Sequence, residues 1–418
     1  MKLKAYKPVL ILTALLAITR PVVAQDTTVM SDKQESENDS RDFNKKVEGV
    51  VKMSIESGMK QLSLAMNDLN LNLNENLRGL NNIVVPHVRD IGNDIRLSIN
   101  NELTDQLVNS GAVSEKVKSY TKSYPMDAND KLHIDNKFGR ISINTWNKPE
   151  VRVEVNIKSY ADNDQTAQKM IDAISISDNK SGDVVSFSTS FGSSNSIWNE
   201  LFNNRNDHHK AEVNYTVYMP SKNALDIANR YGNTEIPDFD GRVSLDCSYG
   251  NIDAKALMHS DNQIRVRYGS ANIDALSSAD VSVSYGSFDV GSADELNGEF
   301  RYSSARMGKI KTAVNINAHY AGSVNIDDLD KNFRSFSYSS NYSNLRVGVN
   351  NASNANFDVT VRYGDFNYGS LPVEITEKTP SDESRGWKPT KNFKGHIGKG
   401  SSDRTINVSS SYGGVKFD

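Results

Sequence analysis

Apolar and polar residues alternate along much of the second half of the chain. Four runs show the alternation leading to a tyrosine: Val243-Leu245-Cys247-Tyr249, Val281-Val283-Tyr285, Val314-Ile316-Ala318-Tyr320 and Phe357-Val359-Val361-Tyr363. A period of two predicts β-strands with one buried face, because successive side chains of a strand point to opposite sides. The Ser, Asn, Asp, Arg and Thr residues between them are predicted to face water. By the same phase, the tyrosine rings are predicted to point inward with the valines.

The strand pattern recurs at a nearly constant interval, which tyrosine marks. The spacings are 18, 19, 17, 17, 18 and 18 residues through the series Tyr231, Tyr249, Tyr268, Tyr285, Tyr302, Tyr320 and Tyr338, and Tyr363 and Tyr412 continue it after insertions. Each tyrosine is followed by a bend, usually with glycine, and then by a second short strand such as Phe288-Asp289-Val290. Two strands and two bends in about 18 residues predict one coil of a parallel β-solenoid.

Stacked coils would place each tyrosine on its equivalents above and below, so the rings are predicted to stack on one another. An exposed aromatic stripe that stacks against sugars is the functional alternative. The inward phase of the tyrosines favours the structural interpretation.

The segments before the repeats have different patterns. Residues 1–24 have the layout of a secretory signal peptide, with three lysines, an apolar run and a small residue before Gln25. Residues 25–44 are predicted to be a disordered leader. Residues 45–115 are predicted to form an amphipathic helical arm, because apolar residues recur with a period of eleven. This arm is expected to pack on the solenoid or on a second copy of the chain, and an interfacial lipid-binding helix is the alternative.

Residues 123–220 are predicted to form a strand-rich N-terminal cap. The predicted strands are Leu132–Ile134, Ile141–Ile143, Val151–Ile157, Val184–Ser188 and Val213–Tyr218, with a short helix at Asp164–Ile174. The repetitive solenoid is predicted for 221–418, with a long loop at 377–404. The last strand, Val415–Asp418, is predicted to form the far edge of the solenoid, where its charges would discourage pairing with another chain.

Two motifs carry a resemblance to a known family. The stretch Asn136-Lys137-Phe138-Gly139-Arg140-Ile141-Ser142-Ile143, followed by Trp146, and the closing Ser411-Tyr412-Gly413-Gly414-Val415 resemble the bacterial putative-adhesin family of secreted β-solenoid proteins. The resemblance covers about 123–418, and the helical arm is a departure from it. It implies an exported, non-catalytic solenoid.

The charge and the cysteine content exclude some classes of partner and of chemistry. Without the signal peptide, 44 basic side chains remain against 52 acidic ones, which argues against nucleic acid and anionic membranes as general partners. No segment after the signal is long and apolar enough to span a membrane. The single cysteine, Cys247, allows no intramolecular disulfide and is in phase with the buried Leu245.

The sequence predicts no enzyme, no metal site and no cofactor. A solenoid that cleaves acidic polysaccharides needs several carboxylates around a calcium ion and a Lys or Arg base. Asp253, Asp274, Asp289 and Asp327 recur on the second strands, but each repeat has only one of them. A solvated column of aspartates is therefore the expected interpretation.

Five residues are candidates for binding. Arg230, Arg267 and Arg301 precede tyrosines, whereas serine precedes the tyrosines between them, and Arg362 precedes Tyr363. This alternation would separate guanidinium groups by two coil spacings, about 9–10 Å, and relieve their repulsion. An acidic polysaccharide with a similar charge repeat is the ligand hypothesis, and an ordinary solvated surface is the alternative. The fifth candidate, Trp387, lies in the long loop 377–404.

The sequence therefore predicts a non-enzymatic exported protein of the periplasm or cell surface, which presents a solenoid face for adhesin-like binding. The alternative is a periplasmic scaffold that binds another envelope protein through the helical arm, through which the chain would also self-associate. A polysaccharide-cleaving enzyme is the third and least favoured hypothesis.

Overall fold

The computed structural model describes residues 113–192, 209–349, 353–381, 386–399 and 402–418. The predicted signal peptide, the leader and residues 45–112 of the predicted arm lie outside these ranges. The described part of the chain is mainly β-structure with one short helix. None of its helices is long and apolar enough to cross a membrane.

The elements follow the chain from Ser114 to Phe417. They are β1 (Ser114–Pro125), β2 (Lys131–Lys137), β3 (Ile141–Thr145), β4 (Glu150–Ala161), α1 (Asp164–Asp172), β5 (Ile174–Ser181), β6 (Val184–Phe191), β7 (Lys210–Met219), β8 (Ala224–Arg230), β9 (Thr234–Ile236), β10 (Val243–Ser248), β11 (Ile252–Leu257), β12 (Asn262–Arg267), β13 (Ser270–Ser284), β14 (Ser287–Arg301), β15 (Ser304–His319), β16 (Ser323–Leu329), β17 (Ser335–Asn341), β18 (Asn344–Val349), β19 (Ala355–Arg362), β20 (Phe366–Asn367), β21 (Val373–Thr379), β22 (Thr390–Ile397), β23 (Thr405–Ser411) and β24 (Val415–Phe417).

The repeats stack in parallel and in register. The strand before each tyrosine pairs with its equivalent in the next repeat, as in β8–β10, β10–β12 and β12–β13. The strand after each tyrosine does the same, as in β9–β11 and β11–β13. The long strands β13, β14 and β15 each serve two successive repeats. Because like positions lie above one another, the alternating Val, Ile, Leu and Phe residues form one continuous core.

The stacking order departs from the chain order at the C-terminal end. The last two strands, β23 and β24, lie between the β17–β18 repeat and the β19–β20 repeat. The expectation that Val415–Asp418 forms the far edge is therefore wrong, because β24 pairs on both sides.

A similar insertion occurs near the N-terminal end. Strand β2 pairs in parallel with β6 on one side and with β8 on the other, and β3 pairs with β7 and β9. The β2–β3 repeat thus lies between later parts of the chain. At each end of the stack, the repeat next to the outermost one is therefore formed by a segment that does not adjoin its stacked neighbours in the chain.

Antiparallel strands cover both ends of the stack. At the N-terminal end β4 pairs with β7, β1 with β4, and β5 with β6. Helix α1 begins after Asn163, whose side chain accepts a hydrogen bond from the Thr166 backbone N–H, and it buries Ala167, Met170 and Ile171. At the other end β22 covers β19, and β21 pairs with β22. Strands β1, β5, β21 and β22 are absent from the sequence prediction, and the predicted helix is two residues too long. The predicted loop at 377–404 is wrong in part, because β22 and the end of β21 lie within it.

Candidate functional site

In ten repeats the chain turns at an aromatic residue in the left-handed backbone region. The φ angles lie between 50° and 63° at Phe138, Tyr231, Tyr249, Tyr268, Tyr285, Tyr302, Tyr320, Tyr342, Tyr363 and Tyr412. Bulky side chains rarely adopt this conformation, which costs roughly 1–2 kcal/mol per residue relative to right-handed backbone. We call these ten residues the aromatic ladder.

The rings of the aromatic ladder stack face to face in a single row. In spatial order the row is Phe138, Tyr231, Tyr249, Tyr268, Tyr285, Tyr302, Tyr320, Tyr342, Tyr412 and Tyr363. Neighbouring ring centroids are 4.6 to 5.2 Å apart, and the central rings are within 5° of parallel. The predicted stacking of tyrosine on tyrosine is confirmed.

The predicted burial of these rings is wrong for most of the row. Tyr268, Tyr285, Tyr302 and Tyr320 are 49% to 52% exposed, whereas Tyr231 is buried. The physical reason is the positive φ, which turns the chain at the tyrosine and ends the alternation of the preceding strand. The signal for the turn is the glycine that follows most of these tyrosines.

In one repeat the regular spacing predicts the wrong tyrosine as the corner residue. Tyr338 lies within β17 and is 1% exposed, while the ladder residue of that repeat is Tyr342. Counting 18 residues from Tyr320 reaches Tyr338, but this repeat is four residues longer. The inward phase deduced for the series is correct for Tyr338.

Ladder stability can be tested by comparing two substitutions at Tyr285. Both Tyr285→Ala and Tyr285→Gly remove the ring contacts with Tyr268 and Tyr302, but only glycine adopts a positive φ without strain. We expect the alanine variant to be less stable than the glycine variant by about 1 kcal/mol, as measured by chemical denaturation. Within strands alanine is usually the more stable of the two residues, so the expected order is the reverse of the usual one. Equal stability, or a more stable alanine variant, would contradict a strained corner.

The two ends of the aromatic ladder are covered differently. At the N-terminal end Phe138 makes an edge contact with Phe191, at 5.3 Å between centroids. At the other end Trp387 lies 5.7 Å from Tyr363 and is tilted by 40°, with 72% of its surface exposed. The structure thus brings the candidate Trp387 to the terminal ring of the ladder. The Arg362 guanidinium lies 5.5 Å from the same Tyr363 ring.

The candidate arginines lie in one column beside the ladder, which we call the basic column. The register gives its order as Lys137, Arg230, Ser248, Arg267, Ser284, Arg301, His319, Asn341, Ser411 and Arg362. Arg230, Arg267 and Arg301 are therefore two repeats apart, as the sequence predicts. Arg362 is four repeats beyond Arg301, and the inserted C-terminal segment contributes one of the three residues between them, Ser411.

Two of these arginines also contact carboxylates on the same surface. The Arg267 Nη2 donates to Asp246 Oδ1 at 2.7 Å, and its Nε donates to Ser248 Oγ at 3.2 Å. Arg301 pairs with Glu299. About half of each arginine side chain remains exposed. A guanidinium has five N–H donors, so one carboxylate partner leaves others for a ligand.

The opposite side of the aromatic ladder carries neutral polar residues over its central repeats, which we call the neutral column. Its central members are Asn233, Asn251, Ser270, Ser287, Ser304, Ser323 and Asn344. Several hydrogen bonds run along it: the Asn251 backbone N–H donates to Asn233 Oδ1, and Ser287 Oγ donates to Ser270 Oγ. The exposed tyrosine edges thus lie between a basic column and a column of amides and hydroxyls.

The other candidate chemistry remains dispersed. Asp274 pairs with Lys255 and Asp327 with Arg306, each across neighbouring repeats, and Asp253 accepts a hydrogen bond from Asn272. Within the described ranges no group of three or more His, Cys, Asp and Glu side chains could hold a metal ion. Cys247 is buried as predicted, and burial raises the pKa of its thiol to about 12.

Comparison with known proteins finds likeness only among solved structures. No family model matches the chain, and no curated protein matches it. A putative adhesin from Bacteroides fragilis is 11% identical, with 55% of this chain and 96% of that chain covered and a TM-score of 0.36. A putative adhesin from Parabacteroides merdae is 10% identical, with coverage of 55% and 95% and a TM-score of 0.32.

A putative cell adhesion protein from Clostridium sporogenes is 12% identical, with 72% of this chain and 99% of that chain covered and a TM-score of 0.18. Likenesses this distant do not carry a function from one protein to another. Two of these three solved structures are putative adhesins and the third is a putative cell adhesion protein, and the motifs of this sequence resemble the putative-adhesin family.

Proposed function

We propose that this chain is a non-enzymatic, exported, adhesin-like protein of the cell surface, built as a β-solenoid. Its binding surface is the exposed part of the aromatic ladder together with the basic and neutral columns on either side. The parallel, in-register stacking of the repeats supports the solenoid, and the resemblance to putative adhesins agrees with the role. The periplasmic alternative depends on the helical arm, of which residues 45–112 lie outside the described ranges, and it stays a prediction.

The observation that carries this proposal is the choice of tyrosine at nine corners in the left-handed backbone region. Glycine or asparagine would form such a corner with less strain. A stacked aromatic pair gains about 0.5–1.5 kcal/mol beyond the burial of its area, a gain of the same size as the cost of the backbone. The central tyrosines nevertheless leave about half of their surface exposed to solvent. A continuous exposed aromatic row is typical of a binding surface.

The geometry of the rings restricts how a partner can bind. The faces of the central rings contact neighbouring rings, so a sugar or base cannot stack on them. Their edges and hydroxyl groups are what a partner meets. An elongated partner that lies along the row can contact many edges in succession, and its affinity would grow with the number of repeats that it covers.

The proposal is tested by binding the labelled mature chain to washed, intact cells of the producing strain. In the test variant Tyr268, Tyr285 and Tyr302 are replaced by asparagine, which tolerates the positive φ of these corners. We expect the wild-type chain to bind and this variant to lose about tenfold or more in affinity. Circular dichroism confirms that the variant is folded.

A second variant controls for the loss of exposed apolar surface in general. It replaces Val117, Met258 and Tyr368, three exposed residues outside the aromatic ladder, with serine. We expect it to bind like the wild type. Equal loss of binding in both variants, or full binding by the ladder variant, would contradict a role for the ladder.

A further inference from the structure

We propose that the surface beside the aromatic ladder binds an extended polysaccharide in which acidic and neutral sugars alternate, with one sugar for each repeat. The inference rests on the proposed function and names its ligand class. Within it, Arg230, Arg267 and Arg301 bind the acidic groups, and the neutral column binds hydroxyl and amide groups of the sugars.

The spacing of the basic column matches a charge on every second sugar. Ring centroids along this part of the ladder are 4.8 to 5.0 Å apart, which measures the rise from one repeat to the next. Successive arginines are therefore separated by about 10 Å, with Ser248 and Ser284 in the intervening repeats. In an extended glycan of alternating uronic acid and amino sugar, the carboxylates recur once per disaccharide, close to this separation.

The charge of the basic column fits an anionic ligand, although the whole chain is net negative. The column contains Lys137 and four arginines but no acidic residue. Asp246 and Glu299 lie one column farther from the ladder and hold Arg267 and Arg301 in place. Each guanidinium retains N–H donors, and such donors form strong paired hydrogen bonds with carboxylates.

The neutral sugars fit the rest of the surface. Serine and asparagine side chains of the neutral column follow the same repeat spacing as the arginines. The half-exposed tyrosines place their hydroxyl-bearing rings between the two columns. A flat glycan chain lying along the ladder would contact the ring edges with one face and form hydrogen bonds with both columns. A ligand with a charge on every sugar would meet an arginine at only half of its sugars.

The test measures binding of the mature chain to a hyaluronan fragment long enough to reach from Arg230 to Arg301. Polygalacturonate, with a carboxylate on every sugar, and a neutral cello-oligosaccharide are the comparison probes. We expect hyaluronan to bind most tightly. Replacing the three arginines with serine, the residue that the column already has at Ser248 and Ser284, should reduce its affinity by about a hundredfold.

A variant with unchanged composition separates spacing from charge. The double substitution Arg267→Ser and Ser284→Arg keeps the net charge but places arginine next to Arg301 and leaves a gap after Arg230. We expect about a tenfold loss of hyaluronan affinity. A control that replaces Lys255, Lys311 and Arg334 with serine removes three exposed cations elsewhere and should bind normally.

Unchanged hyaluronan binding by the double variant, or equal binding of the neutral glycan, would overturn this inference. If hyaluronan does not bind but cell binding still depends on Tyr268, Tyr285 and Tyr302, the ligand class is wrong and the proposed function remains. If cell binding is independent of the ladder as well, both proposals fail.

Discussion

Ending the chain at residue 402 is expected to destabilise the C-terminal half of the repeats by about 6 kcal/mol or more. The deletion removes β23 and β24, which bury Ile406, Val408, Val415 and Phe417 in the core. Burial of each such side chain contributes about 1.5–3 kcal/mol. Thermal unfolding and limited proteolysis should both report the loss, with new cleavage sites in β17–β20.

The effect is large because the deleted strands are not at the end of the stack. In a simple linear array, loss of the last repeat shortens the protein and leaves its neighbours paired. Here β23 pairs with β17 on one side and with β19 on the other, over seven positions on each side. Its removal therefore exposes two strand edges inside the stack and separates the β19–β20 repeat and its covering strand β22 from the rest.

Two point variants provide the control for this deletion. Phe417→Ala removes a fully buried ring and should cost about 3–5 kcal/mol, whereas Asn407→Ala changes an outward-facing residue of the same segment and should be nearly neutral. Adding a synthetic peptide of residues 403–418 should restore protease resistance to the shortened chain. A shortened chain that unfolds at the wild-type temperature would show that the repeats close the gap without this segment.

The period-two pattern was sufficient to predict the repeated strands, but the order of the repeats was beyond it. Every repeat buries similar residues at the same phase, so the β23–β24 segment fits equally well at the end of the stack or within it. The two arrangements differ in their strand pairing: in the structure β23 lies between β17 and β19, and β24 lies between β18 and β20. Strand β1, with mostly exposed residues, lacks a clear alternation because it pairs at an outer edge.

The sequence predicts one part of the candidate site, the basic column, but not the orientation of the tyrosines. The alternation of Arg267 with Ser248 and Ser284 gave the correct column, because residues that directly precede the corners remain in strand register. The orientation of the tyrosines depends instead on a single backbone angle at the corner. Alternation cannot reveal that angle, since Tyr285 and the buried Tyr338 follow equivalent apolar runs.

Gly269→Ala is expected to lower the free energy of unfolding by about 2–4 kcal/mol and to disturb the ring stacking on either side. A Cβ atom at Gly269 would lie 1.9 Å from the backbone oxygen of Gly250 in the preceding repeat. Backbone atoms cannot move aside as a flexible side chain can, so the repeats must separate at this corner. Thermal unfolding measures the loss, and near-ultraviolet circular dichroism of the tyrosines reports the stacking.

Gly322→Ala is the matched control, because a Cβ atom at that position meets no other atom within 4 Å. This variant should be as stable as the wild type or slightly more stable, since alanine reduces the freedom of the unfolded chain. In later repeats the position equivalent to Gly269 is occupied by Ser303, Ala321 and Ser343, so those corners have room for a side chain. If Gly269→Ala is as stable as the wild type, its corner relaxes to the geometry found at Ala321. In that case the close contact between glycines does not set the spacing of the aromatic ladder.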